Sequence, residues 1–153
     1  MSGSAGITWS VRPFSGLDAY ALHDILRLRV DVFVVEQHCP YPELDGLDPV
    51  ALHVIGRHVG GPLAAYARIL PPGADGLPHV GRVVVAKADR GRGLGNYLME
   101  QVLQALQGQY GGMRSALAAQ AHLQVFYETH GFARTGAPYL LDGIPHVDMA
   151  REA

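Results

Sequence analysis

The run Val80-Gly-Arg-Val-Val-Val-Ala-Lys-Ala-Asp-Arg-Gly-Arg-Gly-Leu-Gly95 fixes the architecture of this chain. Its first half, Val80 to Lys87, is β-branched and almost continuously apolar, the pattern of a central strand covered on both faces. Its second half places Gly91, Gly93 and Gly95 ahead of a helical stripe, Leu94, Leu98, Val102 and Leu106, that ends near Gly108. A strand therefore passes into a helix through a glycine turn. Glycines let backbone approach a ligand closely, and a helix start offers unpaired N–H groups with partial positive charge. An anion such as a diphosphate is the natural occupant. Arg90 and Arg92 stand beside it with formal charge for the same phosphates.

Upstream, Ile7 to Arg12 reads as a strand closed by Pro13, and Ser15-Gly-Leu-Asp18 has the form of a capping box. Leu17, Ala21, Ile25, Leu28 and Val32 then predict an amphipathic helix reaching about Phe33. From Glu36 to Pro49 the chain is rich in proline, glycine and acid with no period, a long loop of the kind that often carries function. Leu52 to Val59 and Leu63 to Leu70 flank Gly60-Gly61-Pro62 as a hairpin. Downstream come a strand over Arg114 to Ala119, a short helix over Ala121 to His130, and strands over Phe132 to Thr135 and His146 to Ala150. The order β α β β β α β α β β predicts an α/β fold, a mixed and mostly antiparallel central sheet flanked by helices, in one domain over residues 7–151.

Composition agrees and excludes several classes. With 153 residues, 48% of them hydrophobic and 17% charged, the chain has the size and apolar content of one globular domain. A net charge of -2 and the absence of basic runs exclude the electrostatic footprint of a nucleic-acid binder. No apolar run approaches the roughly 18 residues of a membrane span, and Met1 to Phe14 has no targeting pattern. Cys39 is the only cysteine, which excludes an internal disulfide and a cysteine-based zinc cluster and fits a cytoplasmic setting. Asp45, Asp48 and His53 match no established metal spacing, so no metal is expected.

Two familiar phosphate loops do not fit. A Walker loop needs lysine and a hydroxyl after its last glycine, where Asn96 and Tyr97 stand; a dinucleotide fingerprint needs glycine at position 96. The segment instead resembles the Arg/Gln-x-x-Gly-x-Gly/Ala signature of the GNAT superfamily of N-acetyltransferases, matched by Arg90, Gly93 and Gly95. A second match is Gln120 followed by Phe126-Tyr-Glu-Thr-His-Gly-Phe132, similar to the superfamily's Tyr-Glu-x-x-Gly-Phe segment with an amide seven positions before the tyrosine. The strings Val32-Phe-Val-Val-Glu-Gln-His-Cys-Pro-Tyr41, Ala65-Tyr-Ala-Arg-Ile-Leu-Pro-Pro72, Ala119-Gln-Ala-His122 and Asp142-Gly-Ile-Pro-His146 look like its ElaA-type branch.

The resemblance implies a GNAT fold in which the fourth strand and the next one splay apart and acetyl-coenzyme A lies along the fourth. Main-chain groups of Val83 and Val85, with Val84 between them, would hold pantetheine. Amides from Arg90, Gly91, Arg92, Gly93, Leu94 and Gly95 would hold the pyrophosphate, with Gln120 and Phe126 completing the site. Tyr127 would act as general acid towards the departing thiolate. Its structural alternative is packing against Phe126 in the core. The implied reaction moves an acetyl group to an amine of a small molecule or peptide in a ternary complex. The alternatives are a non-catalytic acyl-coenzyme A sensor and a Cys39 thiol hydrolase with His38 or His53 as base. A homodimer is compatible with the sequence.

The general base is left open. Many relatives carry a glutamate near the start of the fourth strand, where this chain has Gly81-Arg82. Candidates are Glu36, His53 and His146, with Glu43, Asp45 and Asp48 on the acidic loop, whose carboxylates offer a second role in attracting a cationic amine. His53 on a strand and His122 at a helix start also have purely structural readings.

Overall fold

A computed structural model describes residues 6–153. Met1 to Ala5, the first part of the stretch without a targeting pattern, lie outside the described residues. The strands are β1 (Ile7–Pro13), β2 (Leu52–His58), β3 (Leu63–Leu70), β4 (His79–Val85), β5 (Ser115–Gln120), β6 (Ala133–Arg134), β7 (Tyr139–Leu141) and β8 (Ile144–Arg151). The helices are α1 (Ala19–Arg29), α2 (Leu94–Tyr110) and α3 (Gln124–Glu128). One sheet in the order β1-β2-β3-β4-β5-β8-β6, with β7 also on β8, is antiparallel except at β4–β5. This is the mixed, mostly antiparallel sheet the sequence predicts.

Local chemistry explains where the elements begin and end. The predicted capping box does not form: Phe14–Gly16 is a 3₁₀ turn, and Asp18 caps α1 by accepting the Ala21 N–H at 2.7 Å. A short carboxylate serves as the N-cap residue itself, so the helix starts four residues after Ser15. Past Arg29 the predicted helix continues as a wider π-helical turn, Val30–Glu36, with Cys39 N–H bonded to Val34 O at 3.0 Å. Such turns are rare and recur at functional sites. α2 runs two residues past the expected stop at Gly108 because Gly111, at φ 75°, supplies the left-handed C-cap. The expected helix over Ala121 to His130 is shorter, a 3₁₀ turn and then α3.

One strand was not anticipated. β7 and β8 form a hairpin through Asp142 and Gly143, with φ of 51° and 77°. An Asp-Gly pair with both residues left-handed is the signature of a type I′ turn.

The sheet carries two apolar layers. Leu98, Met99, Val102 and Leu106 of α2 pack with Ala65, Ala67 and Ile69 of β3 and with Leu117, Val147 and Met149. On the opposite face Ile25 and Val32 pack on Ile55, Tyr66 and Val84. Gly56 on β2 faces the ring of Trp9, and a Cβ there would lie 2.5 Å from the nearest ring carbon. Gly56→Ala is therefore expected to lower stability by about 1–3 kcal/mol through overpacking, measured by chemical denaturation.

Two irregularities in β4 open the sheet. Arg68 faces Gly81 and Tyr66 faces Val84, so β4 carries an extra residue at Arg82–Val83, with Arg82 at φ 52°. β4 and β5 then pair only at His79↔Ala116 and Val80↔Leu117 before they part.

Candidate active site

A cleft of about 600 Å³ lies where β4 and β5 part. Its walls come from β4, the π-helical turn, the loop after it, the end of β5, α3 and the β7–β8 hairpin. Cys39 ties two of these walls together, its thiol donating to the Asp142 carbonyl at 3.4 Å.

Of the expected cofactor residues, Val83, Val84, Val85, Arg90, Gln120 and Tyr127 line this cleft. Ala86 N–H bonds Ala64 O on β3 at 2.8 Å, so the main chain of Val85, one residue earlier, points away from β3 into the gap left by β5. By the same alternation Val83 faces the gap, whereas Val84 turns its main chain to Tyr66 of β3 and its side chain into the core. Gly91, Arg92, Gly93, Leu94, Gly95 and Phe126 lie beyond the cleft lining. Gly91 and Gly93 adopt φ of 82° and 75°, a conformation that side chains disfavour, and Leu94 is buried as the first residue of α2. Phe126 packs on the helix start, 3.4 Å from where a Cβ on Gly95 would lie.

The guanidinium groups of Arg90 and Arg92 are already engaged. Arg90 donates through Nε to Val85 O at 3.1 Å and through both terminal nitrogens to Glu36, at 2.6 and 3.0 Å. Arg92 donates to Asp89 at 2.5 Å, which His58 also meets at 2.7 Å. These side chains brace the glycine turn against its neighbours, which leaves the backbone N–H groups as the anion-receptive feature of the turn. The Arg90 hydrogen bond also holds the Glu36 carboxyl below its ordinary range, making it a weak base.

The acidic loop differs most from expectation. Glu43 and Asp48 are buried, and Asp45 is tied down with them by three arginines. Arg29, fully buried at the end of α1, bonds Glu43 at 2.7 Å and Asp48 at 2.8 Å. Arg68 on β3 bonds Asp45 at 2.5 Å and Asp48 at 3.0 Å, and Arg82 bonds Glu43 at 2.7 Å. Tyr41 donates its hydroxyl to Glu43 and lies under the Arg82 guanidinium. Three positive and three negative groups cancel, so these carboxylates neither attract a cation nor serve as a base. Sequence pattern missed this because Arg29, Arg68 and Arg82 sit on separate elements.

The cluster has a pH signature. The Arg68 hydrogen bond holds Asp45 well below the usual carboxylate range. Burial would raise Asp48, but the bonds from Arg29 and Arg68 override it and hold it low. His53 is lowered by burial. Each group binds protons more readily in the unfolded chain, so stability falls as pH falls. Denaturation midpoints are expected to drop first below about pH 6.5, where unfolded histidine charges, and again below about pH 4, where unfolded carboxylates protonate. A flat profile from pH 7 to 3 would contradict this account.

His53 is not placed to act as base. Its Nε2 lies 3.0 Å from Asp48 O and its Nδ1 lies 2.6 Å from the Tyr66 hydroxyl, so both nitrogens are used, and it lines no part of the cleft. A Cys39 nucleophile fares no better: the thiol is buried and donates to a carbonyl, and neither His38 nor His53 bonds to it.

Tyr127 and His146 both line the cleft. The Tyr127 ring is edge-on to Phe126 and Phe132, at centroid separations of 5.0 and 6.3 Å. The ring sits in the core and the residue lines the cleft wall. Burial pushes its phenol up to about 12. Among the described residues Arg68 Nε is the one fully buried side-chain nitrogen or oxygen without a partner. The Tyr127 hydroxyl bonds no protein group either and is not fully buried, and the residue lines the cleft. No group of three or more metal-ligating side chains and no helix able to cross a membrane occurs among the described residues.

Comparison with known proteins places this geometry. A family model described as an acetyltransferase (GNAT) domain matches residues 34–153. Protein ElaA of Escherichia coli is 44% identical over 151 residues, covering 95% of this chain and 97% of ElaA. A UPF0039 protein of Synechocystis is 40% identical over 144 residues, 94% of each chain. The crystal structure of an acyl-CoA N-acyltransferase from Pseudomonas aeruginosa superposes with a TM-score of 0.90 at 43% identity, covering 95% of this chain and 99% of that one. A CoA-dependent acyl-homoserine lactone synthase, at 19% identity and a TM-score of 0.79, shares the fold. With a matching family model over most of its length and relatives above 40% identity, this chain belongs to the GNAT family of acyltransferases.

Proposed function

We propose that the chain transfers an acetyl group from acetyl-coenzyme A to an amine of a small molecule or peptide, the amine attacking the thioester directly while both are bound. The observation that carries this reading is the Tyr127 hydroxyl, a donor with no protein partner on a residue that lines the cleft where β4 parts from β5. Val83 and the Val85 N–H can pair with a pantetheine arm as a missing strand would, the Val85 carbonyl being already held by Arg90 Nε. The glycine turn at the start of α2 suits the pyrophosphate. Gln120, which donates to Gln37 at 3.1 Å, braces the floor between β5 and the π-helical turn. The Pseudomonas relative, named as an acyl-CoA N-acyltransferase, supports the donor class. Residues 7–151 act as one domain in this reading, and the single thiol fits a cytoplasmic setting.

Incubating the protein with acetyl-coenzyme A and a panel of polyamines, amino sugars, amino acids and peptides is expected to release free thiol with at least one acceptor. A thermal shift with acetyl-coenzyme A and no thiol release with any acceptor would favour a non-catalytic acyl-coenzyme A sensor. Neither shift nor release would sink the donor assignment as well.

A further inference from the structure

Besides the Tyr127 hydroxyl, the cleft-lining His146 carries a polar atom without a protein partner, and it is an acceptor. Along β8, Val147 and Met149 enter the core, which sends His146 and Asp148 to the opposite face. His146 Nδ1 lies 2.7 Å from Ile144 O. A carbonyl only accepts, so Nδ1 carries the proton and Nε2 of the neutral ring bears the lone pair. Nε2 has no partner and is not among the buried unsatisfied atoms, so it is reachable from the cleft that His146 lines. The ring is fixed as well as aimed. Tyr139 stacks on it with centroids 6.1 Å apart and planes at 26°, and the Tyr139 hydroxyl is anchored on Asp148 at 2.5 Å.

We infer that His146 Nε2 is the general base of the transfer, an assignment that rests on the acyltransfer reading above. An alkyl ammonium is almost wholly protonated at neutral pH and must lose a proton before it attacks. The other bases named from the sequence are spent: Glu36 on Arg90, Glu43, Asp45 and Asp48 on the arginine cluster, His53 on Tyr66 and Asp48. His79 is paired with Asp75 at 2.8 Å. Imidazole is the side chain whose ordinary titration lies closest to neutrality.

The step balances. One ammonium proton passes to Nε2, the freed nitrogen pair forms the C–N bond, and the C–S bond breaks with its electron pair on sulfur. The second nitrogen proton is lost as the amide forms and is taken up by sulfur through solvent. His146 then returns its proton to water. The titratable groups around His146 are Tyr139 from β7, Asp142 from the turn, Cys39 from the acidic loop, and His122 and Tyr127 from the segment after β5. Tyr139 is pushed up to about 12 by burial and its bond to Asp148, so it stays neutral. Across the cleft stand Arg82 and the compensated Glu36–Arg90 pair. His122 lines the cleft with no hydrogen bond to fix its ring, which makes it the control.

The test measures kcat/KM for the best acceptor from pH 6 to 10 at saturating acetyl-coenzyme A. His146→Asn keeps a donor for Ile144 O and removes Nε2. It is expected to lower kcat/KM about a hundredfold at pH 7. The deficit is expected to shrink below tenfold by pH 10, where the acceptor arrives as free amine, with the Kd for acetyl-coenzyme A unchanged. His122→Asn is expected to track wild type. A drop by the same factor at every pH marks a structural role and overturns the assignment, as does His146→Asn within threefold of wild type at pH 7. A separate readout needs no turnover: long-range ¹H–¹⁵N spectra are expected to show the Nδ1–H tautomer above neutral pH, and an Nε2–H tautomer refutes the base. Wild type inactive on every acceptor refutes acyltransfer itself, a result distinct from an active enzyme whose His146→Asn profile is unshifted.

Discussion

Tyr127→Phe is expected to lower thiol release about a hundredfold while leaving the melting temperature within a degree or two of wild type. The substitution removes one oxygen and keeps the ring that packs edge-on against Phe126 and Phe132. Because the hydroxyl has no protein partner, its loss orphans nothing in the fold. In the proposed reaction that hydroxyl faces the sulfur as charge develops on it. A phenol pushed up to about 12 and a thiol of ordinary pKa near 8.5 differ by about 3.5 units, so full transfer of the proton is uphill by about 5 kcal/mol. In that reaction Tyr127 is expected to act as a hydrogen-bond donor to the departing thiolate, and removing one such donor typically costs 10²–10³ in rate. The donor role also predicts that the loss is constant between pH 6 and 9, since the phenol stays protonated throughout. A ratio of wild-type to variant rates that changes tenfold over that range would reject the donor role, and equal rates would remove Tyr127 from the reaction.

Arg29→Met is expected to destabilise the protein by about 3–5 kcal/mol. For a chain of this size that lowers the melting temperature by about 6–20 °C. Arg29 is fully buried and serves two buried carboxylates, Glu43 and Asp48. Methionine fills much of the space and leaves both without their shared cation, so the cost is that of uncompensated charge. Adding Glu43→Gln is expected to return part of the loss, since it removes one of the two orphaned charges. The consequence reaches the cleft: Glu43 also holds Arg82 and Tyr41, which line it. Acceptor KM is therefore expected to rise with the stability loss. A single variant destabilised by less than 1 kcal/mol would show that the cluster is not a structural keystone of the loop.

Particular residues show which features were legible in the sequence. The strand, glycine turn and helix from Val80 to Gly108 could be read directly, because β-branching, left-handed glycines and a 3.6-residue stripe are local demands. Tyr127 and Gln120 could be named from the resemblance to the superfamily's Tyr-Glu-x-x-Gly-Phe segment, and both line the cleft. The β7–β8 hairpin was not read, although Asp142-Gly143 carries its turn signal, because its short first strand of exposed Tyr139, Leu140 and Leu141 gave no apolar alternation to flank the turn. The π-helical turn was not legible, since its residues fit the α-helical stripe equally well. The acidic loop misled outright. Acid, proline and glycine look solvated when read alone, and what buries this loop is arginine from α1, β3 and β4.

By itself the sequence determined the order and kind of the elements, the glycine turn and the superfamily, all of which depend on neighbours along the chain. Tertiary structure decided which charges are spent and which polar atoms remain available. Glu36 meets Arg90 across 54 residues, and Cys39 meets Asp142 across 103. A carboxylate or imidazole can act as a base only through a lone pair that no other group already holds. That depends on what packing brings within 3 Å, which is why Glu36, Glu43, Asp45, Asp48 and His53 left the list of bases and His146 stayed on it.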